Sequence, residues 1–370
     1  MTRPKLAAIC FVVVAAVAWA SPPPDRVTDR GTYELTAERV IVPDCSDLQC
    51  FRVLVPWILG RLPGPSAIQW KTYAVVSITA AALGVWVLCL NFGMTRRAAL
   101  MAAAMSAVGF GSFYTVHDPY TSDPLMYAIG PFLTNELIAG RIWIAGVAGV
   151  VGVLAKEFAA APLYAFAVYC AAARQWKPAL RAVVAGNAAF ILWAFVTIGF
   201  MLRFNYSWGW NGVGSADLTG GSALALWARQ QSVRGMAFAM FNEFGALYAL
   251  APVGFVIASS RFRRLVVASL PIAAIFAYVQ QPDRALWNFH YLVTPLAALV
   301  LERAPQGIAW GVIVLFAIGN LRVAAQMPIA TVAHLAIAGS LVLAVAGIAW
   351  ALRPSRDHRA PGMPIGAAAR

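Results

Sequence analysis

Lys156 and Glu157 stand side by side in "GVLAKEFAAAPL", inside a long apolar stretch. Ionised groups at membrane depth are costly; where they persist they pair, line a wet cavity or mark a substrate path. A plainer reading is a hairpin end whose charges snorkel to the interface, although one polar residue would serve that purpose. Neighbouring helical positions diverge by about 100°, so the two side chains are expected to meet different groups. "HDPYTSDPLMY" (117–127) holds two Asp-Pro steps. Asp118 and Asp123 fit turn and helix-start chemistry, and equally a pair of carboxylates for a hydroxyl, a metal or a basic partner. In "QQPDRALWNFHY" (280–291), Asp283 and Arg284 read as an exposed ion pair worth little, or Arg284 as a guanidinium fork for a phosphate. His290 reads as a hydrogen-bonded core residue before it reads as a ligand or base. "DRVTDRGTYELTAERVIVPDCSDLQC" carries Asp25, Asp29, Glu34, Glu38, Asp44 and Asp47 with Arg26, Arg30 and Arg39, and Arg52 follows. Most of these read as a solvated charged loop; Asp29 and Tyr33 share one face if that piece is helical.

The elements that must position these groups are membrane spans. The chain has 370 residues, 61% of them hydrophobic and only 12% charged, with mean hydropathy +0.71. A soluble domain carries about twice that charged share, so an all-α polytopic membrane protein is expected. Apolar runs near 70–93, 98–115, 124–139, 142–155, 157–173, 179–203, 236–259, 265–280, 288–302, 307–323 and 332–352 predict ten to twelve spans, several short enough to be re-entrant or broken. "LAAICFVVVAAVAWAS" is read as a retained first span rather than a cleaved signal peptide. "FRVLVPWILGRLPGP" is too short to span and is expected to lie along the membrane surface. Cys10, Cys89 and Cys170 fall in apolar segments and read as packing residues. Cys45 and Cys50 flank "SDLQ" and suit a small disulfide loop if that loop faces an oxidising compartment. The net charge of +13 comes with no nucleic-acid motif, and basic loops account for it.

Those basic loops set the orientation. "TRR" (95–97), "RQWKPALR" (174–181), "RFRR" (261–264) and "RPSRDHR" (353–359) fall on alternate turns, which puts them and both termini in the cytoplasm. Residues 22–69, 116–124, 156–157, 204–235, 281–288 and 322–331 then lie outside, and they hold eleven of the fifteen Asp and Glu residues. "NYSWGWNGVGSADLTGG" in the 204–235 loop has groups suited to sugar stacking, but its Trp and Tyr are read first as interface residues. Charges distant in sequence that converge on the outer side suit an anionic, lipid-linked substrate. A transporter or flippase of lipid-linked sugars would use the same charges as a path; the absence of a repeat and the clustering at one surface favour an enzyme. A non-catalytic membrane assembly subunit is the third reading.

The pattern resembles the GT-C superfamily of polytopic glycosyltransferases. "DRGTYELTAERV…CFRVLVPWILGRLP" is similar to a bacterial variant with Asp-x-x-x-Tyr and Arg-x-Leu-x-Pro, filled here by Asp29, Tyr33, Arg52, Leu54 and Pro56. "DPYTSDPLMY" resembles the second acidic outer loop of that group, and "AKEFAAAPL" its basic-Glu step before a proline. The Asp-Glu or Asp-Asp dipeptide of many members is missing from the first loop, so Asp25, Asp44 and Asp47 stand as alternatives to Asp29. The resemblance implies one transmembrane domain over 1–352, a long first periplasmic loop (22–69) with membrane-parallel helices, a second (204–235), and a cytoplasmic polar tail (353–370). It implies inverting transfer of a hexose or pentose from a polyprenyl-phosphate donor, in the bacterial inner membrane with a periplasmic site. The acceptor would be a glycan, lipid or protein; membrane lipids are partners and nucleic acid is not. Asp29 would be the general base. Lys156 and Arg284 would hold the lipid phosphate. Tyr33, Arg52, Asp118, Asp123, Glu157, Asp283 and His290 would bind or position substrate. A divalent metal is compatible with such a site and not required by it.

Overall fold

The computed structural model describes residues 2–21, 29–45, 48–206, 241, 243–279, 286–321 and 330–353. The chain is an all-α polytopic membrane protein. The helices, in order, are α1 (Arg3–Ala20), α2 (Arg30–Arg39), α3 (Leu54–Leu59), α4 (Ser66–Asn91), α5 (Arg96–Ala107), α6 (Phe110–His117), α7 (Asp123–Ile138), α8 (Ile142–Gly152) and α9 (Ala161–Ala172). They continue with α10 (Trp176–Phe204), α11 (Leu247–Ile257), α12 (Ser260–Val279), α13 (His290–Arg303), α14 (Gln306–Asn320) and α15 (Ala330–Ala351). Among the described residues five stretches are long and apolar enough to cross a bilayer: α1, α4, α5 with α6, α10 and α15.

Burial separates centre from periphery. In the apolar windows of these stretches, 83% of the α5–α6 residues and 61% of the α4 residues are buried in the bundle, against 22% for α1 and for α10. α4 packs on α5 and α7, and α13 packs on α5 and α11; α10 covers α8 and α9 from outside, and α14 pairs with α15. The apolar run at 98–115 is one stretch in the sequence but breaks at Val108–Gly109 into α5 and α6. The Trp287 indole lies where a Cβ on Gly109 or Gly111 would stand. α1 docks through Leu6, Cys10, Val14 and Ala18, one residue per turn. Lys71 on α4 donates from Nζ to the Ala18 carbonyl (2.8 Å), capping the end of α1. α11 crosses α13 so closely that a Cβ on Gly254 would strike the Leu296 carbonyl.

The short pieces of the first loop are tied to one end of the bundle. α2 packs on α3, and the Leu54 N–H donates to the Leu154 carbonyl in the α8–α9 connection (3.1 Å). Exposed Trp57, Ile58 and Leu62 line the outer side of α3 and the turn after it, as a surface-lying piece requires. The Cys45–Cys50 disulfide is present, and Cys10, Cys89 and Cys170 are free and buried.

Candidate functional site

The basic turns gather at one end. The Arg261 guanidinium lies 5.1 Å from the Phe92 ring centroid, Arg264 6.0 Å from Tyr169, and Arg3 5.6 Å from Trp86. Arg97 donates to the Ala304 carbonyl (2.9 Å), and the Thr95 hydroxyl to Glu302. The contacts of Arg3, Arg261 and Arg264 join the ends of α1, α4, α9 and α12 that border segments expected on one side.

At the other end the first loop, the α6–α7 turn and the α8–α9 connection meet over an aromatic floor. The Trp70 ring centroid lies 5.5 Å from Tyr33, 5.8 Å from Tyr73 and 5.4 Å from Tyr120. The Leu125 N–H donates to the Tyr73 hydroxyl (3.1 Å), which fixes the first turn of α7. That turn starts where the sequence suggested: Ser122 precedes Asp123, and Pro124 occupies the opening positions. α8 ends at Gly152, where a Cβ would press on Ala159 and Ile129, so the α8–α9 connection folds back closely over that end.

On this floor two ion pairs interlock. Lys156 Nζ donates to Asp123 Oδ1, and both side chains are buried. Arg52 grips Glu157 with both arms, Nη2 to Oε1 at 2.7 Å and Nε to Oε2 at 3.1 Å, a bidentate fork. Lys156 and Glu157 therefore do reach different partners, 33 and 105 residues away. Lys156 is not an exposed hairpin tip: it is 6% accessible. The Tyr33 hydroxyl, fully buried, lies 3.3 Å from Ser122 Oγ and beside Arg52. Burial alone would raise the Glu157 pKa, but the Arg52 charge and fork hold it below the usual carboxylate range. Burial lowers Lys156 from its ordinary value, and Asp123 opposes that shift. Burial pushes the Tyr33 phenol up.

Asp29 is the N-cap of α2, half-buried, and its side chain makes no capping bond. Its carbonyl accepts from the Tyr33 N–H (3.1 Å), one turn on. Arg30 beside it lies 4.5 Å from the Tyr120 ring centroid and pairs with Glu34 (3.2 Å); Glu34 also accepts from Ser66 Oγ (3.1 Å). Asp118 is half-buried and adds to the field at Arg30. Asp44 turns away, accepting from Asn205 Nδ2 at the end of α10 (2.6 Å). His290 lies in the core: its Nδ1 is 3.1 Å from the Trp287 carbonyl, and its ring stacks on Trp287 and meets Tyr127 edge-on. Asp25, Asp47, Asp283, Arg284, residues 207–235 and the tail from 354 lie outside the described residues.

Of the sequence candidates, Tyr33, Arg52, Asp123, Lys156 and Glu157 form one network. Asp29 and Asp118 belong to its neighbouring α2 and α6–α7 segments, and His290 belongs to the core. Sequence reasoning did not single out Ser122, Trp70, Tyr73 or Tyr120. Arg30 and Glu34 carried a signal, the i,i+4 spacing of opposite charges. Among the described residues no three His, Cys, Asp or Glu side chains gather as metal ligands. Asp123 and Glu157 are paired with Lys156 and Arg52.

No family model and no curated protein matches the chain. Two solved structures of the Archaeoglobus fulgidus oligosaccharyltransferase are similar to it. The form tethered by a disulfide to an acceptor peptide with the NVT sequon aligns at TM-score 0.46 and 16% identity, over 95% of this chain and 56% of that one. The apo form aligns at 0.49 and 14%, over 95% and 57%. This chain thus spans little more than half the length of that enzyme, and likeness at this level decides neither its fold nor its activity.

Proposed function

We propose that the protein is a membrane glycosyltransferase that moves a sugar from a polyprenyl-phosphate donor to a hydroxyl of a glycan, lipid or protein acceptor. The observation that supports this is the convergence of Arg52, Asp123, Lys156 and Glu157, from three separate connections, at the end of the bundle opposite the basic turns. A transport path would string its charges toward the bilayer midplane; these are paired at one end. In this reading that end is extracytoplasmic, in a bacterial inner membrane with cytoplasmic termini; the positive-inside pattern of the loops supports the orientation, and a disulfide in the same loop system suits an oxidising compartment.

In this reading the Asp29 carboxylate, not used for capping, takes the proton of the acceptor hydroxyl. The acceptor oxygen bonds to the anomeric carbon from the face opposite the phosphate. The carbon–phosphate-oxygen bond breaks, and polyprenyl phosphate leaves with the bonding pair. Lys156, oriented by Asp123, offers its other donors to the phosphate together with Arg284 and stabilises the developing charge. The Arg52–Glu157 pair holds the first loop over the floor. Asp29→Asn is expected to abolish transfer of radiolabelled sugar from polyprenyl-phosphate donor in membranes while the protein stays inserted. Full activity in that variant would move the base to Asp25, Asp44 or Asp47.

A further inference from the structure

The Cys45–Cys50 disulfide stands two residues before Arg52 of the candidate site. Cys50 is fully buried, and Phe51 after it is 3% accessible. Phe51 packs between Phe200 (6.3 Å between centroids) and Tyr206 (5.2 Å, edge-on), at the end of α10. Three further bonds hold the same loop to that end. The Asp44 N–H donates to the Phe204 carbonyl (3.0 Å), the Val42 N–H to the Tyr206 hydroxyl (3.1 Å), and Asn205 Nδ2 to Asp44. Arg52 comes two residues after Cys50, its N–H bonded to the Gln49 carbonyl inside the disulfide loop (3.0 Å). From there the guanidinium reaches Glu157.

The short connection from Cys50 leaves Arg52 little room to move independently of the bridge. Without the bridge the chain before Arg52 has one tether fewer, and its ordering rests on the contacts with the end of α10 alone. A guanidinium prefers water to a buried site once its fork is not pre-positioned. We propose that the disulfide is a positioning device: it sets Arg52 on Glu157, so that this end of the bundle assembles only in the oxidised chain. Formation of the Cys45 Sγ–Cys50 Sγ bond removes two protons and two electrons from the thiols. Thiol–disulfide exchange with an oxidised dithiol oxidoreductase supplies the acceptor, whose own disulfide becomes two thiols. The device would keep the site open until the loop reaches the oxidising side, and it stands whatever group the site transfers.

The test is arginine footprinting of the full-length protein in detergent with phenylglyoxal, before and after dithiothreitol, read by peptide mass spectrometry. Alkylation of Cys45 and Cys50 confirms reduction; the other cysteines are buried. Arg52 modification is expected to rise by about an order of magnitude on reduction, as for a local opening, and to fall again on reoxidation. Exposed Arg61 should react equally in both states, and Arg97 at the far end should keep its rate. A reduced protein whose Arg52 stays as protected as before overturns the proposal. So does a parallel rise at Arg97, since that reports general unfolding. The double variant Cys45→Ser/Cys50→Ser should show the reduced-state rate with or without dithiothreitol; protection of Arg52 there overturns the proposal too. The footprint needs no sugar transfer, so its outcome is separate from that of the Asp29→Asn assay.

Discussion

The two ends of this bundle treat charge in opposite ways. At the basic end Arg3, Arg261 and Arg264 lie over aromatic rings and Arg97 meets a backbone carbonyl. At the other end Arg52, Glu157, Lys156 and Asp123 are largely shut away from solvent and alternate in sign. A surface cation costs little and can orient a protein against lipid headgroups. A buried cation is tolerable only with a partner in good geometry. The contrast fits an end that meets lipid headgroups in the proposed orientation and an end whose paired charges fix loops in register.

The sharpest way to break this comparison is sidedness, where the effect is all or none. Arg61→Cys and Lys177→Cys place single accessible thiols at the two ends, against three buried native ones. An impermeant maleimide should label one from outside intact cells and the other only in inverted vesicles. Labelling of both from one side removes the two-ended description. Next in size is Glu157→Gln, which strands the Arg52 charge and should cost about 3–5 kcal/mol by denaturant unfolding in detergent. Replacing a whole pair, Lys156→Met with Asp123→Leu, should cost far less than Lys156→Met alone. A loss under ~1 kcal/mol for Glu157→Gln would mean that Arg52 simply turns to water.

Acid sharpens the same point. Glu157 titrates below its ordinary 4.5 in the folded protein, so the unfolded chain binds the proton first. Its contribution to stability is complete above that ordinary value and is lost as pH falls through the lowered one. The wild type should therefore lose stability more steeply than Glu157→Gln below about pH 4.5; parallel curves would place the acid response elsewhere. The smallest effect is expected at the basic end: Arg261→Leu should change stability by about 0.5–1 kcal/mol or less, the range of an exposed cation–π contact. A larger loss would show that end to be as structurally committed as the other.

Several features of this chain can be read from composition and order alone. Apolar runs mark the helices because a backbone in lipid must bond to itself. Asp-Pro steps mark the start of α7, and the alternation of basic and acidic connections sorts them between two ends. Those rules act over a few residues or one span, so one chain is enough to apply them. What Lys156 and Glu157 touch could not be read this way. Arg52 stands 105 residues from Glu157 and Asp123 33 from Lys156, and any of several acids and bases on the same side had the right charge. Only the packing of α2, α3 and the α8–α9 connection over Trp70 chose among them, because a buried fork depends on distances below 4 Å that no spacing in sequence specifies. The same holds for His290, whose type suited a ligand while its place against Trp287 and Tyr127 put it in the core.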